Sequence, residues 1–315
     1  MTERREGSWF SGFFAILNYE FLWNLRKKKT ISLFLIIFAI LTLELVLPPI
    51  LAYTAGQEFQ KSSTFVIDSA TVLPNIFIFL LGVATTMNTI SGEFESGSIV
   101  PLLTKPVSKN MVFLGKIVAA SLTLLAAYAF LAVYATIGGL VVHGAQENLR
   151  LLPLGVVGLT GATMVWASIS VLLGTLSKNS LVAALGTFGV FIGLSIIGIT
   201  LASFLGQTWI LFYTPGDGPQ GSTGTCQLGG GFGGNNLPTG TNALGALLVQ
   251  WVLNPDLMLN FCGFTFRVNQ PPIPQLLSSD TITTTVLRAV GVTISYTAIL
   301  LLVSWFAFRR TQVLE

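Results

Sequence analysis

Residues 117–142 read IVAASLTLLAAYAFLAVYATIGGLVV and contain no charged side chain. A helix that crosses the hydrocarbon core of a bilayer, roughly 30 Å thick, needs about 20 mostly apolar residues. Backbone polar groups inside lipid must find their hydrogen-bond partners within the protein, and a helix provides them locally. The stretch lacks the strict alternation of a β-barrel strand, so it predicts a transmembrane helix.

Five more segments have the length and composition of transmembrane helices: residues 31–53, 72–90, 151–176, 181–205 and 287–308. The 315-residue chain is 52% hydrophobic and 9% charged, whereas soluble domains are about 25% charged. This composition excludes a soluble enzyme, a disordered tail and a nucleic-acid-binding module. The sequence therefore predicts an all-α membrane protein with six transmembrane helices, surrounded by membrane lipids.

Positive charge is distributed unevenly between the two sides of the membrane. With six spans, most of the Lys and Arg residues fall on the side of the termini: Arg4, Arg5, Arg26, Lys27, Lys28, Lys29, Lys105, Lys109, Lys116, Lys178, Arg309 and Arg310. The other side receives Lys61, Arg150, Arg267 and Arg288. Because loops rich in Lys and Arg stay in the cytoplasm, we expect a multi-pass plasma-membrane protein with both termini cytoplasmic.

The segment FSGFFAILNYEFLWNLRKKK, residues 10–29, lies ahead of the first span. Its apolar residues recur at helical spacing, and its tryptophans and basic end suit the headgroup layer. It predicts an amphipathic in-plane helix within the cytoplasmic region 1–30. The alternative is a juxtamembrane helix with no mechanical role. A cleavable signal peptide is disfavoured, since no convincing small-residue cleavage site follows the first apolar stretch.

Glu44 is the one acidic residue that falls inside a predicted span. A carboxylate at mid-membrane costs about 2.5 to 3.5 kcal/mol. Pro48 and Pro49 are expected to end or kink the helix near Leu47, which would bring Glu44 close to the outer interface. Two readings stay open: Glu44 is an interface residue that reaches water, or it lines a substrate path.

Small residues recur at spacings of three or four in the fourth and fifth spans. They are Gly155, Gly158 and Ala162, followed by Gly186, Gly189 and Gly193. Such rows let helix backbones approach closely. We expect them to pack within the subunit rather than across a dimer interface.

The long loop between the second and third spans contains ISGEFESGSIVPLLTKPVSKNMVFLGKIVA, residues 90–119. Ser98 can cap a short helix whose apolar face would include Ile99, Leu102 and Leu103. Pro106 would end that helix. Ser108 can cap the next, long helix. The pattern predicts a short helix parallel to the membrane with exposed leucines, which suits docking onto a cytoplasmic partner.

This loop resembles that of the membrane subunits of ATP-binding-cassette (ABC) type 2 transporters. That family has an acid-rich stretch, Gly-Thr or Gly-Ser, a Leu-Leu pair, Pro-Val-Ser-Arg and a later Gly-Lys. The corresponding residues here are Glu93, Glu95, Gly97, Ser98, Leu102, Leu103, Pro106, Val107, Ser108, Lys109, Gly115 and Lys116. The six spans, the in-plane helix and the cytoplasmic termini extend the resemblance over nearly the whole chain.

The resemblance implies that loop 91–116 carries a coupling helix, seated on a separate nucleotide-binding subunit. It further implies two ABC ATPase subunits and a second permease copy or homologue as partners. The sequence has no GxxxxGK[ST] phosphate loop, so ATP and Mg would bind the partner and not this chain. The chain would be a non-catalytic exporter subunit, and its apolar spans suggest a hydrophobic or amphipathic substrate.

Residues 206–285 form a long extracellular segment before the last span, too long for an ordinary connection. Its glycine-rich part is expected to be irregular. The apolar run 243–253 is too short to span the membrane and predicts an interfacial or re-entrant helix. Cys226 and Cys262 both lie in this segment, on the side where disulfides persist, and we predict a bridge between them. Two unpaired thiols are the alternative.

The lone histidine, His143, is expected to be a solvated interfacial side chain, and no metal site, catalytic triad or intramembrane carboxylate pair is recognisable. The predicted domains are therefore 1–30, the membrane region 31–205, the outer segment 206–285 and the last span with its tail, 286–315. A permease subunit of an ABC exporter fits best. A membrane scaffold or receptor-like anchor, whose outer segment binds a partner, is the alternative. A secondary carrier is disfavoured, since the spans lack charge and internal repeats.

Overall fold

The computed structural model describes residues 9–97, 108–203, 209–223, 236–265 and 273–310. Within these ranges the helices are α1 (Trp9–Arg26), α2 (Lys28–Thr54), α3 (Phe65–Thr71), α4 (Asn75–Thr86), α5 (Ser91–Glu95), α6 (Lys109–Val142), α7 (Leu152–Ser177), α8 (Ser180–Ser203), α9 (Leu244–Leu253) and α10 (Ile282–Arg310). Short 3-10 helices cover Leu149–Leu151 and Trp209–Tyr213.

Six helical segments of the described chain are long and apolar enough to cross a membrane. They are Thr30–Thr54, Asn75–Glu95, Lys109–Val142, Leu149–Ser177, Ser180–Gly198 and Ile282–Arg310. The prediction of six spans is confirmed. The second span begins at Asn75, not at residue 72, because Val72 is extended and Pro74 precedes the helix.

The start of α6 contacts the end of α10, which fixes the two sides of the molecule. Asn110 accepts a hydrogen bond from the indole of Trp305 at 3.1 Å, and the rings of Phe113 and Phe308 lie 5.8 Å apart. Helix α1 packs against the same part of α6. We call this side, with α1 and the end of α10, the terminal face, and the opposite side the far face.

Helix α7 lies at the centre of the bundle and contacts most of the other long helices. Its small residues allow this close packing: a Cβ at Gly158 would lie 2.6 Å from the Cα of Gly245 in α9. Gly82 of α4 likewise approaches the α7 backbone, since a Cβ added there would lie 3.0 Å from the carbonyl oxygen of Thr163. Small residues at helix contacts are the usual means of association in membranes, where lipid is as apolar as the side chains.

The small residues of the fourth and fifth spans were expected to pack within the subunit. This expectation is correct in α7 and partly wrong in α8. In α7, Gly155 and Gly158 pack against other elements of the same chain. In α8, Gly186 contacts Leu173, but within the described chain a Cβ at Gly189 or Gly193 would meet no atom within 4 Å. The three glycines share one side of α8, so this side contacts α7 near the start of the helix and is open further along it.

Helix α2 continues through Pro48 and Pro49 to Thr54. Of the two alternatives expected near Leu47, an end or a kink of the helix, the end is therefore wrong. Proline removes a backbone donor, but membrane helices tolerate it when the hydrogen bonds resume beyond it. Here they do, since the amide of Ala55 donates to the carbonyl of Leu51 at 3.0 Å.

The far face carries a small module that the sequence did not predict as a sheet. Four antiparallel strands, β1 (Gly221–Ser222), β2 (Asn236–Leu237), β3 (Met258–Thr265) and β4 (Ile273–Thr281), lie in the order β2-β1-β3-β4. The predicted short helix is α9, and it packs against α7 and α10. The buried ring of Phe261 in β3 meets Phe212 edge to face, with ring centroids 4.9 Å apart.

We predict that Gly158→Ala destabilises the protein, because the new Cβ would collide with the backbone of α9 and not with a movable side chain. Overpacking of this kind costs about 1 to 3 kcal/mol. Thermal unfolding in mild detergent, followed by size-exclusion chromatography, measures the effect. Gly193→Ala is the matched control, since its Cβ would meet open space. Equal stability of the two variants would contradict the packing described above.

Candidate functional site

Lys116 forms a buried cluster with two carboxylates on the terminal face. Its ammonium nitrogen lies 2.5 Å from Oε1 of Glu20 and 2.8 Å from Oε1 of Glu93. The lysine side chain is only 4% exposed. The cluster joins three elements: α1 through Glu20, α5 through Glu93 and α6 through Lys116. A buried charge of this kind is stable only while its partners are in place.

Local packing brings α1 against α6 so that this cluster can form. Gly12, Ile16 and Glu20 are spaced four residues apart and therefore share one face of α1. On α6, Gly115 leaves the room that this face needs, because a Cβ there would lie 2.8 Å from Ile16. The opposite side of α1 exposes large apolar residues, including Phe10 and Phe14. That α1 is an amphipathic helix in the membrane plane stays a prediction.

Ser108 caps α6, as the sequence predicts. Its Oγ accepts a hydrogen bond from the amide of Met111 at 3.2 Å, and Ser108 itself is extended. Lys109, another predicted coupling residue, is the first residue of the helix. The cap therefore fixes where the loop ends and the third span begins.

Glu95 bonds α5 to the start of α8. Its two carboxylate oxygens accept hydrogen bonds from the amide and the hydroxyl of Ser180, each at 2.7 Å. A carboxylate at a helix N-terminus satisfies a free amide and interacts favourably with the helix dipole. Beside it, the ammonium of Lys178 lies 5.6 Å from the ring centre of Phe94.

Gly97 follows α5 and has a left-handed backbone conformation, which favours glycine. Its φ is +68°, and its amide donates to the carbonyl of Phe94 at 3.2 Å. A left-handed glycine directly after a helix is a common way to stop it and turn the chain. The glycine of the predicted motif thus marks the end of α5.

The structure brings together part of the predicted coupling site. Glu93, Glu95, Gly97, Ser108 and Lys109 lie at the two ends of the loop, on the terminal face. The remaining predicted residues, Ser98, Ile99, Leu102, Leu103 and Pro106, lie outside the described residues.

The sequence pattern does not indicate that Glu20 and Glu93 meet at Lys116. Lys116 stands out there only as a positive charge and as part of the family motif. The signal that could have found the pair is weak: Glu20 is the one acidic residue in an apolar, aromatic helix. A charge at such a position needs a partner from another element, which periodicity alone does not identify.

Glu44 accepts a hydrogen bond from the hydroxyl of Ser69 at 3.4 Å, which links α2 to α3. Its side chain is otherwise exposed on the surface of α2. Whether Glu44 serves at the interface or along a substrate path stays a prediction.

The far-face module is anchored to the bundle through Asn242. The indole of Trp166 in α7 donates to its side-chain oxygen at 2.9 Å, while its amide nitrogen donates to Asp217 at 3.4 Å. Asn75, the first residue of α4, also donates to Asp217. Partial removal from water raises the pKa of the Asp217 carboxyl to about 6.

His143 is buried at the far face, so the expectation of a solvated side chain is wrong. Its ring stacks on Phe65 at 4.2 Å, and its Nδ1 accepts a hydrogen bond from the amide of Ser62 at 3.2 Å. Desolvation lowers the pKa of His143 below its ordinary value. Of the two cysteines, Cys262 lies in β3 and Cys226 lies outside the described residues, so their bridge stays a prediction.

We predict that Lys116→Gln strongly destabilises the protein, because it removes the buried cation that the nearly buried Glu20 and the partly buried Glu93 share. Removing one partner from a buried ion cluster costs about 3 to 5 kcal/mol. The thermal unfolding midpoint in detergent, read from tryptophan fluorescence, checks this. Glu20→Gln should cost less, since the pair of Lys116 and Glu93 survives, and Lys28→Gln at an exposed site is the control. An unchanged midpoint for Lys116→Gln would contradict the role given to the cluster.

Comparison with known proteins agrees with this architecture. No curated protein matches the chain. The profile of the family described as ABC-2 family transporter protein matches residues 14–313, which is nearly the whole chain. The chain, with its six apolar helices, therefore belongs to the ABC-2 family of transporter proteins.

Proposed function

We propose that this protein is the permease subunit of an ABC exporter, driven by two separate ATP-binding-cassette subunits. ATP and Mg would bind those subunits, and this chain would move without catalysing any reaction. Membership of the ABC-2 transporter family supports the general assignment. The direction of transport and the coupling to ATP hydrolysis are the parts that need experiments.

The observation that carries the proposal is the way α5 is bonded to the rest of the bundle. Glu93 reaches α6 and α1 through Lys116, and Glu95 reaches α8 through Ser180. Two residues apart on a short helix, these acids point to different neighbours. Directly after them, at Ser98, begins the loop that resembles a coupling helix. A displacement of that loop would thus be passed to α1, α6 and α8 together.

The membrane arrangement follows from the same assignment. The protein would lie in the plasma membrane with the terminal face in the cytoplasm, because that face carries most of the basic residues of the sequence. A second permease copy or homologue would complete the transporter. Gly189 and Gly193 of α8 face no other part of the described chain, which leaves a smooth side of this helix for such a partner.

The substrate would be hydrophobic or amphipathic. The lipid-facing helices expose apolar side chains over most of their length, especially α2 and α8. A path between two such permeases would offer few charged groups to a polar cargo. ATP-dependent movement of a fluorescent amphiphile into sealed vesicles would support an exporter. Binding of the ATPase without any such movement would favour the scaffold interpretation.

We predict that replacing Leu102 and Leu103 with Asp detaches the ATPase, because charged side chains in an apolar contact lose hydration without gaining a partner. Co-purification of the ATPase with the tagged permease in mild detergent measures this, and we expect at least a tenfold loss, about 1.4 kcal/mol. Gln57→Asp, on the far face, is the control for added charge. Unchanged co-purification of the double variant would contradict the coupling role, provided that the variant elutes as a single species.

We also propose that Cys226 and Cys262 form a disulfide that shapes the far-face module. In the chain-entropy model a bridge that closes such a loop contributes roughly 4 kcal/mol. Alkylation of the native protein before and after reduction, followed by mass spectrometry, tests the bridge. We expect labelling of both cysteines after reduction only, and two thiols that react in the unreduced protein would contradict it.

A further inference from the structure

A groove of about 400 Å³ lies on the outer side of α10, near its far-face end. Its walls are residues of α10 between Leu287 and Tyr296, together with Tyr213 from the preceding 3-10 helix. No residue of the coupling site or of the Trp166–Asn242 anchor lines it. The groove is therefore separate from the coupling site and from the anchor of the far-face module.

Arg288 is held rigidly at the edge of this groove. Its Nη1 donates to Oδ2 of Asp280 at 3.1 Å. Its guanidinium carbon lies 4.5 Å from the ring centre of Phe212 and 5.8 Å from that of Tyr213. A guanidinium has five N–H donors in a planar fork. The ion pair uses one of them, and within the described chain no other acceptor contacts Arg288.

The depth of Arg288 suits the headgroup layer of a bilayer. It lies six residues after the start of α10 at Ile282, which is roughly 9 Å along the helix axis. Its neighbours Leu287 and Ile294 are about 60% exposed and so face hydrocarbon. An arginine here has a polar layer on one side and acyl chains on the other.

The groove also has the room that a chain-bearing ligand needs. Gly291, one helical turn from Arg288, faces open space, since an added Cβ would meet no atom within 4 Å. Ser295 continues the same side of the helix one turn further. The surface thus combines a fixed cation, a polar stripe and flanking apolar side chains.

We propose that this groove binds a membrane phospholipid, with its phosphate on Arg288 and an acyl chain along Leu287 and Ile294. Guanidinium and phosphate match in charge and geometry, and two parallel N–H donors can bind two phosphate oxygens. Asp280 pairs with one N–H donor of Arg288, and the side chain of the arginine stays 24% exposed, which leaves its other donors for a phosphate. The proposal depends on membrane insertion and not on the proposed transport function.

Native mass spectrometry of the purified protein tests the site with phosphatidylglycerol as the probe. Diacylglycerol with the same chains is the comparison, because it lacks the phosphate. We expect wild type to retain phosphatidylglycerol in preference to diacylglycerol. Arg288→Gln should lower this retention about tenfold, the loss expected for charge-assisted hydrogen bonds. Arg150→Gln, at an exposed arginine of the same face, should retain lipid like wild type.

A second variant fills the groove and leaves the arginine in place. Gly291→Leu should also lower phosphatidylglycerol retention about tenfold, whereas Gly189→Leu, at an equally open glycine of α8, should not. Equal retention of the two lipids, or wild-type retention by Arg288→Gln or by Gly291→Leu, would overturn the proposal. If Arg288→Gln fails to fold, Gly291→Leu and the comparison of the two lipids decide the question by themselves.

Discussion

Hydrocarbon offers no hydrogen-bond partner, and this constraint governs the arrangement of most polar groups in the spanning helices. The backbone N–H and C=O groups pair with each other within the helices. Hydroxyl side chains donate hydrogen bonds to carbonyl groups of their own helix. Thr85 donates to the carbonyl of Leu81 at 2.8 Å, Ser168 to Met164 at 2.6 Å and Thr187 to Ala183 at 2.7 Å. Because these hydroxyl groups are hydrogen-bonded within their own helix, α7 can contain many small and weakly polar residues. It can therefore pack at the centre of the bundle, where it also buries Trp166, whose indole is hydrogen-bonded to Asn242.

Charged side chains on both the terminal face and the far face form ion pairs, in one case a cluster of three groups. Lys116 joins Glu20 and Glu93 on the terminal face, and Arg288 joins Asp280 at the far-face end of α10. The Lys116 cluster joins residues of α1, α5 and α6, and the Arg288–Asp280 pair joins α10 to β4. On the terminal face, this cluster and the bonds from Ser180 to Glu95 tie α5 to α1, α6 and α8.

The far-face module shows why part of the fold could not be derived from sequence. Its glycine-rich segment was expected to be irregular, yet Gly221–Ser222 pairs with both Asn236–Leu237 and β3. Gly240 has a φ of +90° and lies so close to Gly218 that a side chain at either position would collide. Such pairing depends on residues far apart in the chain. The glycine content of this segment indicates an irregular chain. The structure shows instead that Gly218 and Gly240 are needed where two parts of the backbone meet.

From its sequence alone, the protein is recognisable as a membrane protein of six helices, since length and apolar composition are local properties. Ser108 as a helix cap and the helix at 244–253 were likewise readable, because caps and short apolar runs depend on neighbouring residues. The partners of Lys116, the outward side of α8 and the burial of His143 were decided only by the tertiary structure. These features depend on which helix faces are brought together. In a uniformly apolar helix, periodicity does not mark one face as buried, so only packing reveals it.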